Sequence, residues 1–217
     1  VDSDTSGTMV THSFALPSAH DFALYVSPAL ASKTYSHCPV SITISAPQRA
    51  LYVADEIAKI CGQTLDTMGA WVAPYPFTEV NIVLCELGFF GGIELPRMIV
   101  GSAPSGSRFL GARDVVMIHE VIHQWFYGIV NSNQAVHPWL DEAVTDYFTA
   151  RVSEALYGER SFLDWWELTL DYAGLQRLQG LAFFDQFPVT WPADRYFTTG
   201  AYIGTVYNKG AVVLRTL

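Results

Sequence analysis

Charge is scarce in this chain: 15% of its 217 residues are Asp, Glu, Lys or Arg, against about a quarter in an ordinary water-soluble domain. Such a composition reads as the interior part of a larger molecule, with surfaces meant for neighbours. Cysteine is scarce too. Cys38, Cys61 and Cys85 are odd in number and lack CxxC spacing, which argues against a disulfide framework and against a thiolate zinc site. Buried free thiols are expected instead, and they leave the compartment open, an extracytoplasmic or secreted parent protein included. No run of about 20 apolar residues is free of polar interruptions, so no membrane span is expected and the chain reads as soluble. Basic residues are outnumbered, giving a net charge of −9. That argues against nucleic acid as a partner and leaves either plain solubility or a preference for basic and amino-terminal ligands. No leader pattern opens the chain; residues 1–7 read as a processed or cut start.

What is present is apolar and aromatic. Half of the residues are hydrophobic and 14% aromatic, enough to bury the core of one domain or one and a half. Strand signals fill the first 46 residues, at 10–16, 22–26 and 40–44, the last alternating with period two. From Ala46 to about Ala70 the period becomes helical, with Leu51, Ala54, Ile57 and Cys61 on one stripe. Strands are expected at 79–85 and 97–100, separated by a Gly-rich turn at 91–96. Helices are expected at 113–129, 141–157, 160–177 and 203–217. Strands followed by segregated helices predict an α+β fold.

The chemistry concentrates in one helix. His119, Glu120 and His123 form an HExxH motif. Residues four apart share a helix face, so both imidazoles can reach one metal ion. Glu120 sits about 100° around the helix, placed to touch a water on that ion without ligating it. A second helix that carried Glu142 across would supply a third ligand and leave one zinc position open for water or substrate. Asp146, one turn beyond Glu142, is placed either to accept the second N–H of a ligand histidine or to face solvent. HExxH alone also occurs in buried helices whose histidines bond internally.

Further motifs surround this one in a fixed order. His119-Glu120-Val121-Ile122-His123-Gln124-Trp125-Phe126 with Trp139-Leu140-Asp141-Glu142 resembles the HExxHQW…WLNE pattern of the M1 aminopeptidases. These are zinc enzymes of the gluzincin type with a thermolysin-like catalytic domain. Gly91-Gly92-Ile93-Glu94-Leu95 resembles that family's GxMEN loop, and Tyr207-Asn208-Lys209-Gly210-Ala211 its Y-x-K-G-A segment. Residues 21–24 are similar to the last strands of its amino-terminal β-domain.

The resemblance implies a thermolysin-like zincin domain over 47–217, a small mixed sheet followed by helices. Residues 1–46 would be remnant strands of an amino-terminal β-domain, and the whole a fragment of a larger peptidase whose other domains are its partners. It implies one Zn2+ held by His119, His123 and Glu142, with Glu120 as general base and Tyr207 as donor to the oxyanion. Glu94 would bind the free α-amino group of a peptide substrate, and Gly91 and Gly92 would let peptide backbone approach. Each residue also has a plain structural reading: Glu94 as a turn residue and Tyr207 as core. Trp125, Phe126 and Trp139 are expected in the core, and His137 as structural. Leu95 stands where the family carries asparagine, which keeps a zinc endopeptidase in play as an alternative. A peptide-binding module with a structural zinc is the non-catalytic alternative.

Overall fold

The computed structural model describes residues 2–6, 8–87, 91–102, 112–158, 162–165 and 168–217. The strands are β1 (Asp2–Ser6), β2 (Met9–Ser13), β3 (Leu30–His37), β4 (Val40–Pro47), β5 (Glu79–Cys85), β6 (Gly92–Leu95) and β7 (Met98–Ser102), then β8 (Leu163–Trp165) and β9 (Leu168–Leu170). The helices are α1 (Ala54–Trp71), α2 (Ala112–Ile122), α3 (Pro138–Tyr157), α4 (Tyr172–Leu181), α5 (Thr199–Tyr202) and α6 (Gly210–Thr216).

β4 shows why a sheet forms and which way it faces. Its residues alternate buried and half-buried, with Val40, Ile42, Ile44 and Ala46 turned inward, the period-two pattern of a strand covered on one side. It pairs antiparallel with β3 and parallel with β5. The five-stranded sheet runs β3-β4-β5-β7-β6. The α1 helix makes the crossover between β4 and β5 and buries Ile57, Cys61, Leu65 and Met68, a stripe at helical spacing. These side chains meet Ile42, Ile44, Ile82 and Leu84 in one core cluster, to which α2 adds Ile118, Val121 and Ile122. The outer face is different: residues 14–25 lie over it around a cavity of about 400 Å³ lined by Phe22, Leu24, Ser45, Asn81 and Met98 among others.

Mixed α/β architecture agrees with the expected class, and β4, α1, β5 and β7 fall close to their expected ranges. Several expectations are corrected. Residues 22–26 form no strand; Phe22, Leu24 and Val26 are exposed, and no strand among the described residues pairs with them. The Gly-rich stretch at 91–96 is largely the edge strand β6, antiparallel to β7 across a tight turn in which Arg97 takes φ 61°. The first helix begins as a 3₁₀ turn, Gln48–Val53, before α1. α2 stops at Ile122 rather than continuing to 129, and the antiparallel pair β8–β9 precedes α4 where the sequence predicts one helix over 160–177; residues 160, 161, 166 and 167 of that range lie outside the described residues. Finally, the division at 46/47 falls inside a continuous sheet, since β3 and β4 share it with β5, β6 and β7.

Ile44 is fully buried on the strand between β3 and β5. Ile44→Ala is expected to cost about 2–5 kcal/mol of unfolding free energy, read by urea denaturation. A cost below about 1 kcal/mol would contradict its central place in the core.

Candidate metal centre

Two helices build the centre. α2 presents a wholly buried end: its Ile118, Val121 and Ile122 face the core while His119 and Glu120 lie on the opposite side. His123 lies one residue past the helix end, but its N–H still bonds the His119 carbonyl at 3.2 Å, so the i,i+4 alignment survives. Beyond it the backbone tightens to i,i+3 bonds at Gln124 and Trp125. The Gln124 amide bonds Leu95 O and Arg97 N, fastening this end to the β6–β7 turn. α3 starts at Pro138, which has no N–H to leave unpaired in a first turn, and so brings Asp141, Glu142, Thr145 and Asp146 against α2.

The three potential ligands meet. His119 Nε2 and His123 Nε2 are 3.0 Å apart, and each is 3.3 Å from Glu142 Oε2. A tetrahedral ion with bonds of about 2.0–2.1 Å needs ligand atoms about 3.3 Å apart, so the residues present fit a zinc-sized ion. Among the described residues this is the cluster of three that can hold a metal. The other ring nitrogens are held as well. Asp146 Oδ1 is 3.2 Å from His119 Nδ1 and accepts from the Tyr172 hydroxyl at 2.9 Å. His123 Nδ1 lies 2.9 Å from Phe126 O and 3.0 Å from Asp141 Oδ1. The N–H points along the carbonyl direction, leaving Asp141 Oδ1 in electrostatic contact without an aligned hydrogen bond.

Electrostatics follow from burying five acids with two imidazoles. Burial opposes charge on His119, but Asp146 and Glu142 outweigh it and push its pKa up to about 10. Burial likewise works against a charged His123, and Asp141 and Glu142 overcome it, raising it well above its usual value. Burial alone would raise Glu142; the two histidines reverse that and hold it below the ordinary carboxyl range. Burial pushes Glu120 up to about 7, the histidines pulling the other way. Its Oε2 is buried and has no hydrogen-bond partner among the described residues.

The remaining expected residues surround the triangle. Tyr207 donates a very short hydrogen bond to Glu142 Oε1 and stacks on His119 with ring centroids 5.8 Å apart. It lies in a π-helical turn, Ile203–Lys209, pressed so close to α3 that a Cβ on Gly210 would stand 2.5 Å from Ala143 Cβ. Burial and Glu142 keep its phenol protonated far above its usual pKa. Burial raises the Glu94 carboxyl, with His123 opposing and Glu142 and Asp141 adding. Gly92 faces Glu120: a Cβ there would be 2.5 Å from that carboxyl carbon. Gly91 is tied to the end of β7, its N–H to Ser102 Oγ and its carbonyl to Ser102 N–H. Trp125 is buried, Phe126 packs partly on the core, Trp139 is half-buried, and His137 is exposed before Pro138. Sequence reasoning missed Gln134, a loop residue whose Nε2 donates to both Glu94 Oε1 and Asp141 Oδ2. No periodicity or motif marks it.

Known proteins share this stretch. Residues 70–217 match the Peptidase family M1 domain. The chain is 30% identical over 127 residues to a leukotriene A-4 hydrolase homolog of Botryotinia fuckeliana, covering 58% of this chain and 20% of that protein. Leucine aminopeptidase 2 of Aspergillus clavatus is 28% identical over 201 residues, 83% of this chain and 32% of that protein. Aminopeptidase B of Mus musculus is 29% identical over 107 residues, 48% of this chain and 16% of that protein. The chain spans about a fifth to a third of the length of the first two. No described helix is long and apolar enough to cross a membrane.

The raised histidines give a pH prediction for the full-length protein. A metal takes only neutral imidazole, so each must lose its proton on binding. Zinc affinity is expected to rise with pH across the range in which the histidines lose their protons. Calorimetry at a series of pH values checks it; an affinity that stays flat between about pH 5 and pH 8 would count against imidazole ligands.

Proposed function

We propose that this chain, which belongs to peptidase family M1, carries the zinc centre of an aminopeptidase that removes amino-terminal residues from peptides. The observation that carries the reading is the His119–His123–Glu142 triangle with the orphaned Glu120 carboxylate beside it. A thermolysin-like arrangement, one Zn2+ and further domains of a parent protein belong to the same proposal. So does a catalytic unit that begins with β3, because the sheet does.

A zinc ion held there supplies a water of lowered pKa and polarises the scissile carbonyl. Glu120 Oε2 would accept a proton from the attacking water and pass it to the leaving amine, a task for which a carboxyl pushed up to about 7 by burial is matched near neutral pH. Tyr207 O–H, which donates to Glu142 in the free chain, turns to the oxyanion as negative charge develops. Glu94 receives the substrate ammonium by a charge-assisted hydrogen bond. Charge supports that direction. Glu94, Glu120, Asp141, Glu142 and Asp146 converge, and a divalent ion offsets only part of five carboxylates, so the site favours a cation beside the metal. Gly92 acts here through Glu120, leaving the carboxylate room, rather than through substrate.

The structural-zinc alternative is disfavoured by the ligand count. A structural site closes with four protein ligands, and the described cluster has three. The endopeptidase alternative, motivated by Leu95, makes no use of the half-buried Glu94 carboxyl.

In the full-length protein, Glu120→Gln is expected to reduce kcat by about 10²–10⁴-fold while zinc stays bound, measured on a peptide with a free amino terminus. The N-acetylated twin of that peptide is expected to be refused by the unmodified enzyme. Undiminished turnover by Glu120→Gln removes the general base, and equal cleavage of the acetylated twin favours the endopeptidase.

A further inference from the structure

Gln134 Nε2 lies 3.0 Å from Glu94 Oε1 and 2.6 Å from Asp141 Oδ2. A primary amide nitrogen carries two hydrogens, and both are committed here, one to each acid. The amide orientation follows from chemistry: ionised carboxylates only accept, so the NH2 group and not the carbonyl must face them. Gln134 therefore spans from the edge strand β6 to the first turn of α3. Asp141 continues the connection, because its other oxygen rests 3.0 Å from His123 Nδ1. Glu94, Gln134, Asp141 and His123 thus form a chain from the amine-facing carboxylate to a metal ligand.

That geometry has a purpose that packing alone does not require. Glu94 and Asp141 are two acids on different elements, and Coulomb repulsion would drive them apart in a partly desolvated site. A neutral double donor bridges the two without adding positive charge, which would otherwise compete with the substrate ammonium. With Oε1 tied to Gln134, the second oxygen of Glu94 is the one that would accept from the ligand. We infer that Gln134 is a positioning residue for substrate recognition, fixing the Glu94 carboxylate in the place where a peptide's free ammonium docks. The inference rests on the aminopeptidase reading of Glu94.

The test compares Gln134→Leu, Gln134→Glu and Glu94→Ala with the unmodified full-length zinc enzyme, using leucyl-glycyl-glycine and its N-acetylated twin. Zinc content and thermal unfolding are measured alongside. Gln134→Leu removes both donors at similar size. It is expected to raise KM for the free-amine peptide at least about tenfold, the worth of one hydrogen bond to a charged group. kcat should change several-fold less than KM, and zinc should be retained. Gln134→Glu adds a third acid and is expected to raise KM further. An unchanged KM in Gln134→Leu, alongside a raised KM in Glu94→Ala, overturns the bridge and leaves the aminopeptidase reading standing. An unchanged KM in Glu94→Ala overturns that reading itself. Loss of zinc, or a fall in kcat as large as the rise in KM, shows Gln134 to be merely structural and also overturns the inference.

Discussion

Everything at the centre depends on one buried electrostatic clasp between α2 and α3. Two imidazoles from one helix end meet a carboxylate from the next, with each pair of ligand atoms 3.0–3.3 Å apart. Removing such groups from water is costly unless the charges are matched, and here matching is the organising constraint. Without a metal, burial works against charged imidazole, and the neighbouring acids reverse that and raise both histidines. With a metal the same geometry passes to the ion. Asp146 and Asp141 then keep the rings in place from behind, Asp146 itself steadied by Tyr172.

The rest of the molecule serves that clasp by close approach. Glycine appears where two elements would otherwise collide: Gly92 beneath the Glu120 carboxylate, and Gly210 against Ala143. The first lets an edge strand pass directly under the Glu120 carboxyl group. The second brings the Tyr207 turn onto α3, within hydrogen-bond reach of Glu142. Both contacts concern backbone distance, so neither role is available to a larger residue without movement. On the other side of α2, the apolar core with α1 and the sheet fixes the helix against which all of this is measured.

How much of this could be read from the chain itself depends on range. The i,i+4 spacing of His119 and His123, and Asp146 one turn past Glu142, are local consequences of helix geometry and were legible. So were β4 and β5, whose alternation or apolar density matches a buried strand. Illegible features were those decided by partners distant in sequence. β3 is a polar edge strand, half of it exposed, and only its pairing with β4 makes it a strand. Residues 22–26 have the apolar residues of a strand but no pairing strand among the described residues. Residues 91–96 have the glycines of a turn, yet β7 recruits most of them into a ladder. Gln134 belongs with these: it is a loop residue, and its meaning lies in two acids 40 residues upstream and 7 downstream.

The most direct test of the clasp is X-ray absorption at the zinc edge of the full-length, zinc-loaded protein. Two imidazole nitrogens with oxygen ligands at about 2.0–2.1 Å, and no sulfur, are the predicted surroundings of the ion. A sulfur shell at about 2.3 Å, or a shell without imidazole, would contradict a centre built from His119, His123 and Glu142.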